Sequence, residues 1–332
     1  MNAPATLVDS HGRTVRDLRI SVTDRCNLRC VYCMPAEGMP WLAREDLLSY
    51  EEITRFARVA LSLGVEAIRL TGGEPTVRAD LPELVRMLHA LRPGLDLSLT
   101  TNGLKLDAMA ESLRDAGLTR VNVSLDTLDR ARFHQLARRD RLDEVLVGLA
   151  AARRVGFKPI KINAVLMRGV NDHEAVPLAR WARDNDYELR FIEWMPLDAQ
   201  HGWDRAQLVP ASETLAAIEA EFPLERVDGG DVSAPATRYR YRDGIGQVGM
   251  IASVTRPFCG HCDRIRLTAD GQIRTCLFSL TEYDFRRAMR GGATDQEIAT
   301  LLRAAVLRKE PGHLINSAAF VQPSRGMSAI GG

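Results

Sequence analysis

No stretch of this 332-residue chain approaches the ~20 consecutive apolar residues that a membrane-spanning helix needs. The opening Met1-Asn-Ala-Pro-Ala-Thr6 lacks the basic patch and apolar run of a secretory signal, so a cytoplasmic location is expected. Excess charge of either sign is also missing: 44 Lys and Arg stand against 43 Asp and Glu, a net of +1. That excludes a bulk basic field for nucleic acid or an anionic membrane, and leaves any polyanionic ligand to a local group of Arg and Lys. Spare cysteines are lacking too. All six fall into two groups of three: Cys26, Cys30 and Cys33, then Cys259, Cys262 and Cys276. Three clustered thiols cannot all pair among themselves, which argues against a disulfide framework and for two three-thiolate metal sites.

What remains is ordinary globular composition, 45% hydrophobic and 26% charged, in a chain long enough for one large or two smaller domains. Short apolar runs at Arg19–Thr23, Ala67–Thr71, Asp96–Thr100, Val121–Leu125, Ile160–Leu166 and Leu189–Glu193 read as strands. Helical patterns lie between them at Glu51–Leu63, Asp80–Leu91, Lys105–Ala116, Asp143–Val155 and His173–Asn185, with Gly64, Gly117 and Gly156 where helices should stop. This alternation predicts an α/β fold whose six-stranded parallel sheet curls into an incomplete barrel. After Trp194-Met-Pro the pattern breaks. Residues 238–276 look antiparallel, with Arg238–Arg242, Gln247–Val254 and a hairpin of Arg264–Thr268 and Gln272–Cys276 around Asp270-Gly271. Helices are expected near 281–290 and 294–308, and the division expected is a core over 1–235 and a C-terminal extension over 236–332 ending in a flexible Gly-Gly tail.

Cys26-Asn-Leu-Arg-Cys30-Val-Tyr-Cys33 follows the first expected strand, where loops of a parallel α/β barrel open onto the active face. Three thiolates can bind three irons of a [4Fe–4S] cube and leave the fourth iron open to a small molecule. Zinc is the alternative, but no fourth ligand lies at finger spacing. In the second group, Cys259-Gly-His-Cys262, a Cys3His zinc site is the more serious alternative. His261 adjoins Cys262, however, and would find it difficult to share one tetrahedral ion with both flanking cysteines. Arg264 and Arg266 then alternate onto one face of a strand, suited to an anion.

The first triad, with Tyr32 before its third cysteine and Thr71-Gly-Gly-Glu-Pro75 after the second strand, resembles the signature of the radical S-adenosylmethionine (SAM) superfamily. Further stretches narrow the likeness: Arg19-Ile-Ser-Val-Thr-Asp-Arg-Cys-Asn27, Asn122-Val-Ser-Leu-Asp126, Phe258-Cys-Gly-His-Cys-Asp-Arg-Ile-Arg-Leu267 and the terminal Met327-Ser-Ala-Ile-Gly-Gly332. Over nearly its whole length the chain resembles the GTP 3′,8-cyclases, which begin molybdenum-cofactor synthesis. The resemblance implies two [4Fe–4S] clusters, SAM contacts at Tyr32, Gly73, Ser124 and Met195, and GTP contacts at Arg19, Arg69, Thr100, Lys161 and the segment Arg264, Ile265, Arg266. It also implies a catalytic tail, Gly331-Gly332, that enters the barrel. GTP as substrate, a reductive electron donor and hand-over of product to cyclic pyranopterin monophosphate synthase follow from the same likeness. Monomer and homodimer stay open. From the residues themselves, Lys161 within an apolar strand already calls for an anionic partner, because an unpaired buried charge is costly. Two other functions fit parts of the pattern: a radical SAM maturase acting on a peptide, and a zinc-stabilised binding protein without chemistry.

Overall fold

The computed structural model describes residues 6–331. Six strands alternate with helices: β1 (Asp17–Ser21), β2 (Ala67–Thr71), β3 (Asp96–Thr101), β4 (Arg120–Ser124), β5 (Ile160–Leu166) and β6 (Glu188–Glu193). The intervening helices are α1 (Tyr50–Ser62), α2 (Leu81–His89), α3 (Leu106–Asp115), α4 (Arg130–Ala137), α5 (Leu142–Arg154) and α6 (Ala175–Asp184). The start of α1 is set by a capping box, in which Ser49 accepts from the Glu52 amide and Glu52 accepts from the Ser49 amide. Gly64, Gly117 and Gly156 all carry positive φ just past helix ends, as their positions required. The short α4 was not expected; its Arg-rich sequence carries little apolar periodicity, and only Phe133, Leu136 and Ala137 are buried.

The rest of the chain adds α7 (Ala211–Glu219), β7 (Leu224–Arg226), β8 (Thr237–Tyr241), β9 (Gln247–Ile251), β10 (Arg264–Leu267), β11 (Gln272–Arg274), β12 (Tyr283–Asp284), α8 (Phe285–Arg290), α9 (Asp295–Leu307) and α10 (Met327–Ile330). As expected, β8 pairs antiparallel with β9, and β10 with β11. These strands do not form a sheet of their own. Strand β10 lies parallel beside β1, and β9 lies parallel beside β6. The order is β12-β11-β10-β1-β2-β3-β4-β5-β6-β9-β8-β7, so the late strands extend both edges of the early parallel core.

Period-two alternation decides which side chains do what. Leu18, Ile20, Ile68, Leu70, Leu97, Leu99, Val121, Val123, Ile162 and Phe191 turn outward into the buried core beneath the helices. Their neighbours of opposite phase point inward. Arg19, Arg69, Thr100, Ser124, Asn163, Arg190, Ile251 and Arg266, from eight different strands, line one cavity, which requires the sheet to curl around it. The inward faces of β1 to β5 and of β10 therefore bring polar side chains into the barrel, and its outer shell is apolar.

Candidate functional site

Residues at the ends of β1 and β2 build the first cysteine loop. The Gly73 amide donates to the Thr23 carbonyl at 2.7 Å, and the Glu74 amide to the Arg25 carbonyl at 2.8 Å. Glu74 is buried, and its carboxylate accepts from the Thr76 amide and hydroxyl, the Thr101 hydroxyl and the Asn102 amide. Asn102 in turn donates to Asn27 at 2.7 Å, closing a network from the Gly-Gly turn through β3 to the cysteine loop. A side chain at Gly73 has no room: a Cβ there would stand 2.3 Å from the Asp24 carbonyl oxygen and 2.4 Å from that of Arg25. Burial pushes the thiols of this triad up, Cys26 to about 11, Cys33 to about 12 and Cys30 far above the usual range. With no cation close enough to reverse that, these sulfurs need a metal to hold them as thiolates.

Beside this loop, the Tyr32 hydroxyl donates to Asp126 Oδ2 at 2.5 Å, while Asp126 Oδ1 accepts from the Val165 amide at 2.8 Å. Burial raises the Asp126 carboxyl to about 6 against the opposing Tyr32 hydrogen bond. Tyr32, Ser124, Asp126 and Met195 share a cavity of about 210 Å³ with Arg19, Arg69, Thr100 and Arg266. Gly73 does not line it; its contribution is the close backbone packing just described.

The second triad lines an adjoining space of about 140 Å³, which shares Arg19, Met195 and Arg266 with the first and adds Cys259, Cys262, Cys276, Arg264 and His313. Burial alone would raise the Cys262 thiol, but Lys309 and Arg264 more than offset it and bring it to about 7. Cys276 is raised by burial. Arg13 fastens this loop from a distance, donating to the carbonyls of Cys259 at 2.8 Å, Pro311 at 3.0 Å and Glu310 at 2.6 Å. Among the described residues no three Cys, His, Asp or Glu side chains converge on a point fit for one ion. A cubane asks for something else, each thiolate on a different iron, and two all-sulfur triads are the donor set that chemistry uses.

Three arginines stand in register on neighbouring strands: Arg266 opposite Arg19, and Arg19 opposite Arg69. Burial, followed by the charges of Arg266 and Arg69, holds the Arg19 guanidinium well below its usual range, and its Nε has no hydrogen-bond partner among the described residues. Burial and Arg264 bring Arg266 to about 10, and one of its NH groups donates to the Gly331 carbonyl at 2.8 Å. The described end of the tail thus reaches the barrel interior, while Gly332 lies outside the described residues. Lys161 lies toward the amino-terminal rim, in a charged space of about 480 Å³ with Arg69, Arg120, Arg190 and Arg264. It is drawn down to about 8 by burial and by Arg190, against the raising effect of Glu188 at 3.8 Å. The side chain of Ile265 is not brought to the cavity: strand alternation turns it into the core, fully buried. Sequence reasoning missed Asp126, Asn163, Arg190 and Arg120. Asn163 lies two positions beyond Lys161 on β5, so alternation along that strand was the signal available for it, whereas Arg190 is set opposite Asn163 only by the β5–β6 register.

Comparison with known proteins agrees with this construction. Residues 20–182 match the Radical SAM superfamily, and residues 187–315 match Molybdenum Cofactor Synthesis C. The chain is 54% identical to a GTP 3′,8-cyclase of Streptomyces coelicolor, over 98% of this chain and 96% of that protein. It is 51% identical to a GTP 3′,8-cyclase of Mycobacterium sp. strain KMS, over 100% of this chain and 95% of that one. In fold it is similar to Streptococcus suis SuiB bound to precursor peptide SuiA, with a TM-score of 0.65 at 17% identity, covering 95% of this chain and 76% of SuiB. The zinc-stabilised binding protein and the peptide maturase therefore fall away. With both halves of the barrel accounted for, the chain belongs to the GTP 3′,8-cyclase family of radical SAM proteins.

Proposed function

We propose that this chain converts GTP to (8S)-3′,8-cyclo-7,8-dihydro-GTP, the first step of molybdenum-cofactor synthesis. Cys26, Cys30 and Cys33 would hold one [4Fe–4S] cluster, and Cys259, Cys262 and Cys276 the other. When bound, the first cluster with SAM supplies a hydrogen-abstracting 5′-deoxyadenosyl radical, and the second supplies an open iron for the guanine. The carrying observation is the rung of Arg266, Arg19 and Arg69, three cations in register inside a barrel, the first buried and the other two half-buried. Like charges so placed destabilise the empty site and call for a polyanion.

The chain's own residues bind, orient and exclude. Arg19, Arg69, Thr100 and Lys161 hold the triphosphate and sugar, while Arg264 and Arg266 frame the base beside the second triad, with Ile265 contributing only main chain. Tyr32, Gly73, Ser124 and Met195 seat SAM, and the Tyr32–Asp126 hydrogen bond fixes the ring that closes this side. C3′ loses a hydrogen atom, C3′ and C8 join, and one electron and one proton complete the product. Holding those two carbons close beforehand is the main contribution a protein can make to such a cyclisation. Ile192, Trp194, Leu197, Ile251 and Leu277 supply apolar wall to the same cavity, keeping water from the reacting atoms. The Arg266–Gly331 bond supports a catalytic part for the Gly331-Gly332 tail.

The division into a SAM-handling core over 1–235 and a substrate-handling extension over 236–332 is part of this reading. So are a cytoplasmic location, where thiols stay reduced, an external electron donor, and transfer of product to cyclic pyranopterin monophosphate synthase by a monomer or homodimer. No helix among the described residues is long and apolar enough to cross a membrane. The test is anaerobic reconstitution followed by SAM, dithionite and GTP deuterated at C3′. Deuterium in 5′-deoxyadenosine, equimolar with cyclised nucleotide, is the expected result; unlabelled deoxyadenosine without nucleotide product refutes the reading.

A further inference from the structure

Lys309 is a buried cation that the reaction just described does not use. Its side chain is only 3% exposed, immediately beyond α9, and it lines none of the cavities described above. Its ammonium donates to two main-chain carbonyls, that of Arg264 at 2.8 Å and that of Thr275. Arg264 follows Cys262 by two positions and Thr275 immediately precedes Cys276, so the charge sits between the two arms that carry those sulfurs. No carboxylate forms an ion pair with it among the described residues; the neighbouring Glu310 carboxylate is taken by the hydroxyls of Thr275 at 2.8 Å and Ser279 at 2.5 Å.

An ammonium removed from water with only carbonyl dipoles for company is costly to keep charged. Such a residue persists where a compensating negative charge belongs to the finished protein. A cubane with three thiolates carries one net negative charge and gains a second on reduction. Arg264 and Arg266 also stand near these sulfurs, Arg264 hydrogen-bonded to Cys262, but both line the substrate cavities. Lys309 alone of these cations is walled off from the substrate.

Resting on the reading that the second triad holds a cluster, we propose that Lys309 is that cluster's built-in counter-charge, setting its reduction potential and favouring its retention. A fixed positive charge stabilises the more negative, reduced state. Removing it must therefore make the cluster harder to reduce.

The experiment uses the full chain with Cys26→Ala, Cys30→Ala and Cys33→Ala together, so that every iron signal belongs to the second triad. This parent is compared with versions carrying Lys309→Gln or Lys309→Arg, by iron and sulfide content and by potentiometric titration of the paramagnetic signal. Gln keeps a donor for the carbonyls and discards the charge; Arg keeps the charge. The expected result is a parent-like midpoint for Lys309→Arg. For Lys309→Gln the reduction equilibrium should shift at least tenfold toward the oxidised form, about 59 mV for a one-electron couple. A folded Lys309→Gln protein without iron, beside a loaded Lys309→Arg protein, supports the same conclusion. Equal midpoints for Gln and parent overturn it, as does loss of folded structure in Lys309→Gln before iron is added, which would make Lys309 a scaffold residue. A parent that takes up no iron removes the second cluster itself, a failure distinct from that of the counter-charge.

Discussion

Replacing Gly73 by Ala tests the junction between the Gly-Gly turn and the first cysteine loop. The added Cβ would lie 2.3 Å from the Asp24 carbonyl oxygen, 2.4 Å from that of Arg25 and 2.7 Å from the Arg25 carbonyl carbon. Ordinary contact is about 3.5 Å, so backbone must move by roughly 1 Å, and backbone cannot swing aside as a side chain can. Overpacking of this kind costs about 1–3 kcal/mol. The displaced segment also carries the Gly73–Thr23 and Glu74–Arg25 hydrogen bonds, each contributing about 0.5–1.5 kcal/mol. The penalty is thus about 2–6 kcal/mol, concentrated on the first cluster and SAM, and SAM affinity should fall by at least about 30-fold. The second triad shares none of these contacts. After anaerobic reconstitution, iron should fall from about eight toward about four per chain, with deoxyadenosine formation lost. Gly202→Ala is the control, since its Cβ would meet only Asp198 Oδ2 at an ordinary 3.6 Å. A Gly73→Ala protein with full iron and unchanged SAM affinity would refute the reasoning.

Three further outcomes follow from the same geometry. Lys161 titrates at about 8 and binds an anion only when protonated, so GTP affinity should decline as pH rises through that value. Lys161→Arg should flatten the profile in equilibrium dialysis between about pH 7 and 9, since a guanidinium is far more basic than an ammonium and stays charged across that range. Arg13→Met strands the buried Asp9 carboxylate and frees the carbonyls of Cys259, Glu310 and Pro311 beside the second triad. A loss of about 3–5 kcal/mol should appear as a lowered melting temperature together with reduced iron. Arg325 donates to Asp270 at 2.9 and 2.7 Å and anchors the tail ahead of α10. Arg325→Met should expose the Gly331 amide to hydrogen exchange and cut turnover about tenfold while leaving iron content unchanged, as a local loss near 1.4 kcal/mol requires.

Much of this architecture was legible because strong periodic signals and cysteine spacing are local. The βα alternation marked all six core strands to within two residues, and CxxxCxxC marked the first cysteine loop directly after β1. The hairpin at Asp270-Gly271 was equally plain, since its turn chemistry lies in adjacent residues. What stayed hidden depends on long-range pairing. Nothing local tells that β10 docks parallel to β1 and β9 to β6, closing both flanks of the core with strands from one extension. The rung of Arg266, Arg19 and Arg69 exists only once that pairing is made, because its members are separated by up to two hundred and more residues. Arg13 and Lys309 were invisible for the same reason: both act on carbonyls, which leave no side-chain motif. The inclusion of Ile265 among substrate contacts came from treating a strand as a segment, whereas alternation gives its side chain to the core.

The claim on which the account stands is that each triad serves its own ligand within one shared barrel. Electron paramagnetic resonance of reconstituted protein carrying Cys26→Ala, Cys30→Ala and Cys33→Ala isolates the second cluster and tests this most directly. GTP should change its spectrum and SAM should leave it unaltered. A spectrum that responds to SAM, or stays indifferent to saturating GTP, contradicts the account.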